Sequence, residues 1–183
     1  MKSFETGLIV GRFQHIHIGH EKLINIGLSL CDKLVIFVTY RDNKETNKNP
    51  YNIEYRIKLL NIIYEKEINE NKIVIYPFKD INLENGITHL WGTSIIDKYK
   101  EYMNMPLKCI IYGKDKNINK CFEPNIVSNI TEVFVDRVSL QISATTMREY
   151  LINNDYENWK KFANCKIHDE YTNIRNKLLK VEV

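Results

Sequence analysis

The sequence predicts an α/β fold built on a parallel sheet, and three observations carry that prediction. Short apolar runs alternate with stretches of helical period: Phe4 to Val10, Lys33 to Thr39, Ile73 to Phe78, Lys108 to Tyr112 and Glu132 to Val135 are strands, with helical crossovers between most of them. The 183 residues, 44% hydrophobic and 27% charged, can bury one sizeable core, and no repeat or low-complexity linker divides them. A polar, glycine-bearing segment, Gly11 to His20, follows the first apolar run directly, where a parallel sheet exposes its ligand-binding edge. A single domain over 1–183 is expected, with 150–183 as a helical C-terminal extension.

Each element has its own signal. After the first strand, His20 to Leu30 is a helix with Leu23, Ile26, Gly27 and Leu30 on one face, and Lys33 to Thr39 completes a strand–helix–strand unit. Tyr40 to Asn52 is polar and contains a proline, so it is a loop at the carboxyl end of the second strand and a candidate basic lid. Ile53 to Tyr64 is helical, with Ile57, Leu60 and Tyr64 along one face. Ile87 to Met103 is broadly helical, and Gly113 to Ser128 is rich in loops. From Ser143 the pattern is helical through Asn153, then again over Tyr156 to Phe162 and His168 to Leu179.

Two segments carry candidate chemistry. In Gly11 to His20 the glycines let backbone approach a polyanion, and the helix that begins near Gly19 and His20 points free N–H groups and a positive dipole end at it. His17 and His20 are three apart, so both imidazoles can face one bound group and donate to charge developing on a phosphoryl oxygen. Metal ligation and simple capping of a turn are the other uses such a pair could have. In the second segment Ser143 sits where an N-cap is wanted, Thr145 and Thr146 open the helix, and Arg148 lies one turn inside. Hydroxyls, free N–H groups and a permanently charged guanidinium would hold a pyrophosphate there, although the same residues also suit an ordinary capped surface helix. Trp91 suits either a core position on an amphipathic helix or stacking against a base.

These segments also carry a resemblance. Gly11-Arg12-Phe13-Gln14-His15-Ile16-His17-Ile18-Gly19-His20 resembles the GRFQPFHxGH signature of the HxGH nucleotidyltransferase superfamily. Ile142 to Arg148 resembles that superfamily's second signature, ISxTxxR, about 120 residues further on. The most similar branch is the nicotinamide mononucleotide adenylyltransferases of archaeal and bacterial type. Lys48-Asn49-Pro50-Tyr51 through Arg56 resembles its R/K-NPF-x-x-x-ER segment, Asp80 with Trp91 its acidic-then-tryptophan segment, and Gly113-Lys114-Asp115 its G-x-K-D stretch. Two segments depart: His15-Ile16 stands where Pro-Phe is usual, and Tyr55 replaces a glutamate.

The resemblance implies a Rossmann-like parallel sheet with helices on both faces, the nucleotidyltransferase fold. It implies that ATP and nicotinamide mononucleotide are joined into NAD and pyrophosphate by direct in-line attack, with Mg²⁺ on the triphosphate. His17, His20 and Arg148 are then the catalytic candidates. Gly11, Arg12, Phe13, Gly19, Gly113, Asp115, Ser143 and Thr145 are the ATP-binding ones, and Lys48, Arg56, Asp80 and Trp91 those for the mononucleotide. Asp80 would accept from a pyridine amide and repel a carboxylate, which predicts a preference for the amide-bearing mononucleotide. A pantetheine-phosphate adenylyltransferase or a cytidylyltransferase would share both signatures, and a catalytically silent nucleotide sensor is the alternative of a different class. The literal His-Ile-Gly-His also occurs in class I aminoacyl-tRNA synthetases, but the later signature is not of their lysine-rich kind.

Composition bounds the remainder. A formal charge of +3 does not imply nucleic-acid binding. The four cysteines, Cys31, Cys109, Cys121 and Cys165, are dispersed without a C-x-x-C pair, which suits free thiols in a reducing compartment. The first residues have no signal-peptide core and no apolar run approaches membrane-spanning length, so a cytoplasmic protein without membrane partners is expected. A homo-oligomer is expected as well.

Overall fold

The computed structural model describes residues 2–41, 45–81, 89–113, 121–136 and 140–181. Five strands, β1 (Phe4–Gly11), β2 (Cys31–Tyr40), β3 (Ile73–Lys79), β4 (Cys109–Tyr112) and β5 (Thr131–Phe134), form one parallel sheet in the order β3-β2-β1-β4-β5. Around it lie α1 (Ile18–Leu30), α2 (Ile53–Ile63), α3 (Glu65–Asn69), α4 (His89–Tyr102), α5 (Pro124–Val127), α6 (Ala144–Ile152), α7 (Tyr156–Phe162), a 3₁₀ turn (Cys165–Glu170) and α8 (Tyr171–Leu179).

Strand residues alternate between two cores because successive side chains leave a strand on opposite faces. Ile9, Leu34, Ile36, Val38 and Ile111 pack with Leu23 and Ile24 of α1, Leu59 and Leu60 of α2, and the buried residues of the C-terminal helices. Leu8, Val35, Phe37 and Ile110 face the other way, onto Ile95, Ile96 and Tyr99 of α4 with Cys121 and Phe122. With both faces covered, the strands read as continuous apolar runs, which is why they were visible in the sequence. Gly92 is required on the α4 side, since a Cβ there would lie 2.0 Å from the Cys121 carbonyl oxygen.

Most element boundaries agree with expectation within two residues. Helix α1 begins at Ile18, earlier than the expected His20, because His17 supplies its N-cap. The helix expected from His168 begins at Tyr171, preceded by the 3₁₀ turn that Asn164 caps by accepting from Lys166 N. Helices α3 and α5 were not foreseen, and residues 87 and 88 of the helix expected over Ile87 to Met103 lie outside the described ones. All four cysteines are free thiols, three of them buried. Among the described residues, no helix is long and apolar enough to cross a membrane.

The sheet order fixes where a ligand can sit. From β1 the chain runs to β2 and β3 on one side, then returns to β4 on the other, so the carboxyl ends of β1 and β4 border a crevice at the point of reversal.

Candidate active site

A cleft of about 720 Å³ opens at that crevice. Gly11 at the end of β1 and Gly113 after β4 line it, together with Arg12, Phe13, His17, Gly19 and His20 from the loop and first turn of α1, and with Ser143, Thr145, Thr146 and Arg148 from α6. The two sequence signatures therefore face each other across one cavity. Asp115 lies outside the described residues. Lys48 stands on a tight turn closed by backbone hydrogen bonds between Thr46 and Asn49, and it also lines this cleft.

The first turn of α1 is arranged around the two histidines. Nδ1 of His17 accepts from Gly19 N at 3.1 Å, so the imidazole hydrogen belongs on Nε2. The rings of His17 and His20 lie 4.1 Å apart between centroids, and Phe13 flanks His20 at 5.0 Å. A Cβ on residue 19 would stand 2.9 Å from His17 Cε1, so glycine is what lets the imidazole close over the helix start. Phe13 holds φ at +50°, a strained conformation of the kind that accumulates at functional loops.

Helix α6 meets this loop from the other side. Ser143 Oγ accepts from Thr146 N at 3.1 Å, the expected cap. Arg148 uses one arm on the carbonyl of Gln14, 3.0 Å away, and the other on Thr145 Oγ1 at 3.2 Å. The guanidinium is thus aimed along the cavity wall by residues from both signatures, and burial pulls its pKa below the ordinary arginine value.

A second cleft, about 530 Å³, adjoins the first and shares Arg12 and Gln14 with it. Thr39, Tyr40 and Arg41 from the end of β2, Asn49, Tyr51, Asn52 and Arg56, and Asp80 after β3 line the rest of its wall. Arg56 is buried, and its Nε donates to the carbonyls of Tyr51 (2.9 Å) and Asn52 (3.2 Å). Its Nη1 donates to Thr39 O (2.8 Å) and Arg12 O. Burial lowers its pKa to about 10, which leaves it charged at neutral pH. Arg56 is therefore first a clamp joining three loops, and Nη2 is the arm that makes none of these contacts. Gln14 completes the same joint: its amide nitrogen donates to Tyr51 O (2.9 Å) and its oxygen accepts from Tyr51 N (3.1 Å).

Asp80 is half-buried, and its two oxygens are both engaged. Oδ1 accepts from the Trp91 indole at 2.8 Å and Oδ2 pairs with Arg41 at 3.7 Å. Trp91 joins the site through Asp80, and its ring packs edge-on against Phe122. Of the four mononucleotide candidates, the smaller cleft brings Arg56 and Asp80 together, while Lys48 lies on the larger one. Arg41 and Gln14 were not singled out beforehand; Arg41 sits in the loop read as a basic lid and Gln14 inside the first signature.

Both departures from the signatures point at the C-terminal helices. His15 is buried and accepts on Nε2 from the Trp159 indole at 2.9 Å. Tyr55 donates its hydroxyl to Glu170 at 3.1 Å, and Glu170 also pairs with Lys58 at 2.6 Å.

A parallel sheet whose crevice is bordered by a histidine-bearing helix mouth and by a capped second helix with an inward arginine is an α/β architecture with its candidate site at the topological switch point. The chain belongs to the cytidylyltransferase-like family, whose model matches residues 8–150. It is 33% identical over 93 residues to a nicotinamide-nucleotide adenylyltransferase of Thermococcus kodakarensis, a match covering 50% of this chain and 47% of that protein. A protein of the same name from Sulfurisphaera tokodaii is 22% identical over 166 residues, 90% of this chain and 89% of the relative. The chain spans about half the length of the curated relatives it matches at 30% identity or more. Its fold is like that of a bifunctional NMN adenylyltransferase/ADP ribose pyrophosphatase from Francisella tularensis, crystallised with AMP and a manganese ion. The TM-score is 0.71 at 20% identity, covering 97% of this chain and 51% of that one.

Proposed function

We propose that this chain is an adenylyltransferase that joins ATP and nicotinamide mononucleotide to give NAD and pyrophosphate. The observation that carries the reading is the pair of adjoining clefts with Arg12 and Gln14 as their common wall, one lined by both signatures and the other by Arg56 and Asp80. Two ligands held in such neighbours can meet end to end, which is what in-line attack of a phosphate on the α-phosphorus of ATP requires.

In this reading the larger cleft takes ATP. Gly11 and Gly19 let the backbone approach the phosphates closely at the positive end of the α1 dipole, and His17 and His20 stand at the reacting end, with His20 donating to charge that grows on the α-phosphoryl oxygens. Ser143, Thr145 and Arg148 hold the departing pyrophosphate, with Arg12, Phe13 and Gly113 completing the wall. Lys48 reaches the triphosphate from its turn. No group of three His, Cys, Asp or Glu side chains among the described residues is arranged to hold a metal ion. A cavity of hydroxyls, imidazoles and guanidinium suits a triphosphate that brings its own Mg²⁺, which would neutralise phosphate charge.

The smaller cleft takes the mononucleotide, with Nη2 of Arg56 toward its phosphate and Asp80 and Trp91 at its pyridine end. Because Arg41 already offsets Asp80, the expected preference for the amide over the acid form is weaker than an isolated carboxylate would give. The deciding experiment offers the purified chain ATP and Mg²⁺ with nicotinamide mononucleotide and reads NAD in a coupled assay, beside 4′-phosphopantetheine and CTP controls. NAD formation with the first pair alone is the expected result. Product from pantetheine phosphate or from CTP would reassign the reaction within the family, and tight ATP binding without any pyrophosphate release would make the chain a sensor.

A further inference from the structure

The loop that lines the larger cleft is tied to the C-terminal helices at one buried point, and neither half of that tie belongs to either signature's usual pattern. His15 is 1% exposed and Trp159 is 0% exposed. Because the indole N–H donates to Nε2 of His15 at 2.9 Å, the imidazole hydrogen must sit on Nδ1, and it goes to the carbonyl of Ile16 at 2.5 Å. Both ring nitrogens are thereby used and one tautomer is fixed. Burial, helped by the nearby Arg148 charge and opposed by the Ile16 hydrogen bond, lowers the His15 pKa to about 4, so the ring stays neutral.

Each end of this bond is itself braced. The Trp159 ring packs against Tyr156 of its own helix at 6.0 Å, His168 of the 3₁₀ turn at 5.6 Å and Tyr171 of α8 at 5.0 Å. His15 meets the Tyr51 ring edge-on at 6.0 Å and is followed in the chain by the Ile16-His17 step that starts α1. Its other neighbour, Gln14, presents the carbonyl that Arg148 grips and the amide that holds Tyr51.

We propose that His15 and Trp159 are positioning residues for ATP: their hydrogen bond sets the register of the C-terminal helices against the signature loop. It thereby sets where the Gln14 carbonyl holds Arg148 and where His17 closes over α1. The proposal rests on the assignment of ATP to the larger cleft. Neither residue lines the larger cleft. A side chain 144 positions away thus stands in for the local rigidity that a proline at position 15 would supply.

A packing role alone would give a different set of variants. Trp159→Phe keeps the ring but strands the acceptor of His15, and His15→Leu strands the indole donor. Each is expected to raise the KM for ATP about tenfold, in line with the sensitivity of catalysis to small displacements, with the KM for the mononucleotide within about twofold. His15→Gln retains an acceptor at comparable reach and is expected within about twofold of wild type. The decisive variant is His15→Leu/Trp159→Phe, in which neither the indole donor nor the Nε2 acceptor is left behind and only the Ile16 carbonyl loses its donor, so its melting temperature rises above that of His15→Leu alone. Its KM for ATP is expected to stay raised. If ATP affinity recovers together with stability in the double variant, or if the single variants move both KM values equally, the tie is only packing and the proposal fails. Should Trp159→Phe not fold, the double variant still decides. Calorimetry with a non-hydrolysable ATP analogue and Mg²⁺ runs in parallel. Wild type that binds the analogue but forms no NAD removes the proposed reaction while the variants' analogue affinities still test the tie. Wild type that binds no analogue overturns the tie.

Discussion

In the proposed reading, His20 serves the transition state more than the ground state. Its ring is sandwiched by His17 at 4.1 Å and Phe13 at 5.0 Å, so its direction is set before any ligand arrives. His20→Ala is expected to lower kcat by roughly 10²–10³-fold with little change in the KM for ATP, the pattern of a lost preorganised donor. An unaltered kcat in steady-state assays would remove His20 from the chemistry. Arg41 bears on specificity in the same reading. Its guanidinium lies 3.7 Å from Asp80, but the side chain is 66% exposed, so water screens the pair. Exposed pairs contribute about 0.2–1 kcal/mol, which limits the effect to about 1.4- to fivefold. Arg41→Met should leave Asp80 unopposed and move the ratio of kcat/KM toward nicotinamide mononucleotide, away from nicotinic acid mononucleotide, by that factor. A ratio that does not move would mean that Asp80 does not face the pyridine ring. His17 with His20, and Ser143 with Arg148, were legible in the sequence because the spacing within each of the two helix starts is local. Arg41 was not, since nothing in the composition of a polar loop says which of its cations folds back onto an acid beyond the next strand.

At the scale of elements, the start of α1 is the part most easily perturbed. Alanine favours a helix by about 1 kcal/mol over glycine, yet at position 19 its Cβ would press within 2.9 Å of the His17 ring. Gly19→Ala is therefore expected to leave the melting temperature near wild type while kcat/KM for ATP falls at least about tenfold, because the imidazole that caps the helix must swing away. A melting temperature and an activity that fall in step would instead point to a damaged helix. The strands and longer helices were visible in advance because buried parallel strands are apolar throughout and α1, α2 and α4 carry long apolar faces. The charged five-residue α3 has no apolar period, and α5 is four residues opened by Pro124. Neither offers enough pattern to distinguish it from a loop. The 3₁₀ turn over Cys165–Glu170 displaced the start of the last helix because Asn164 caps a backbone N–H there, a contact the hydrophobic pattern does not encode.

At the scale of the whole molecule, the buried His15 links stability to pH. The folded chain holds its imidazole neutral down to about pH 4, whereas in the unfolded chain it protonates near 6.5. Above about 6.5 both states are neutral and the full stability is present. As pH falls from there toward 4, only the unfolded state gains the proton, and stability declines by on the order of 3 kcal/mol from this group. Urea unfolding at pH 7 and pH 4.5 should therefore diverge more for wild type than for His15→Leu/Trp159→Phe, which has no such group. Equal divergence would mean that acid weakening comes from carboxylates alone. The contacts that join the two signatures and the C-terminal helices span most of the sequence. Arg148 reaches Gln14 across 134 positions and Trp159 reaches His15 across 144, while β1 finds β4 only at Cys109 and Ile110. A ribosome delivers the chain from its amino end, so β1, β2 and their helix can assemble long before either clasp exists. During that interval the nascent polypeptide carries its histidine signature without Arg148, and in the proposed reading it has no grip on a triphosphate until α6 and α7 have followed.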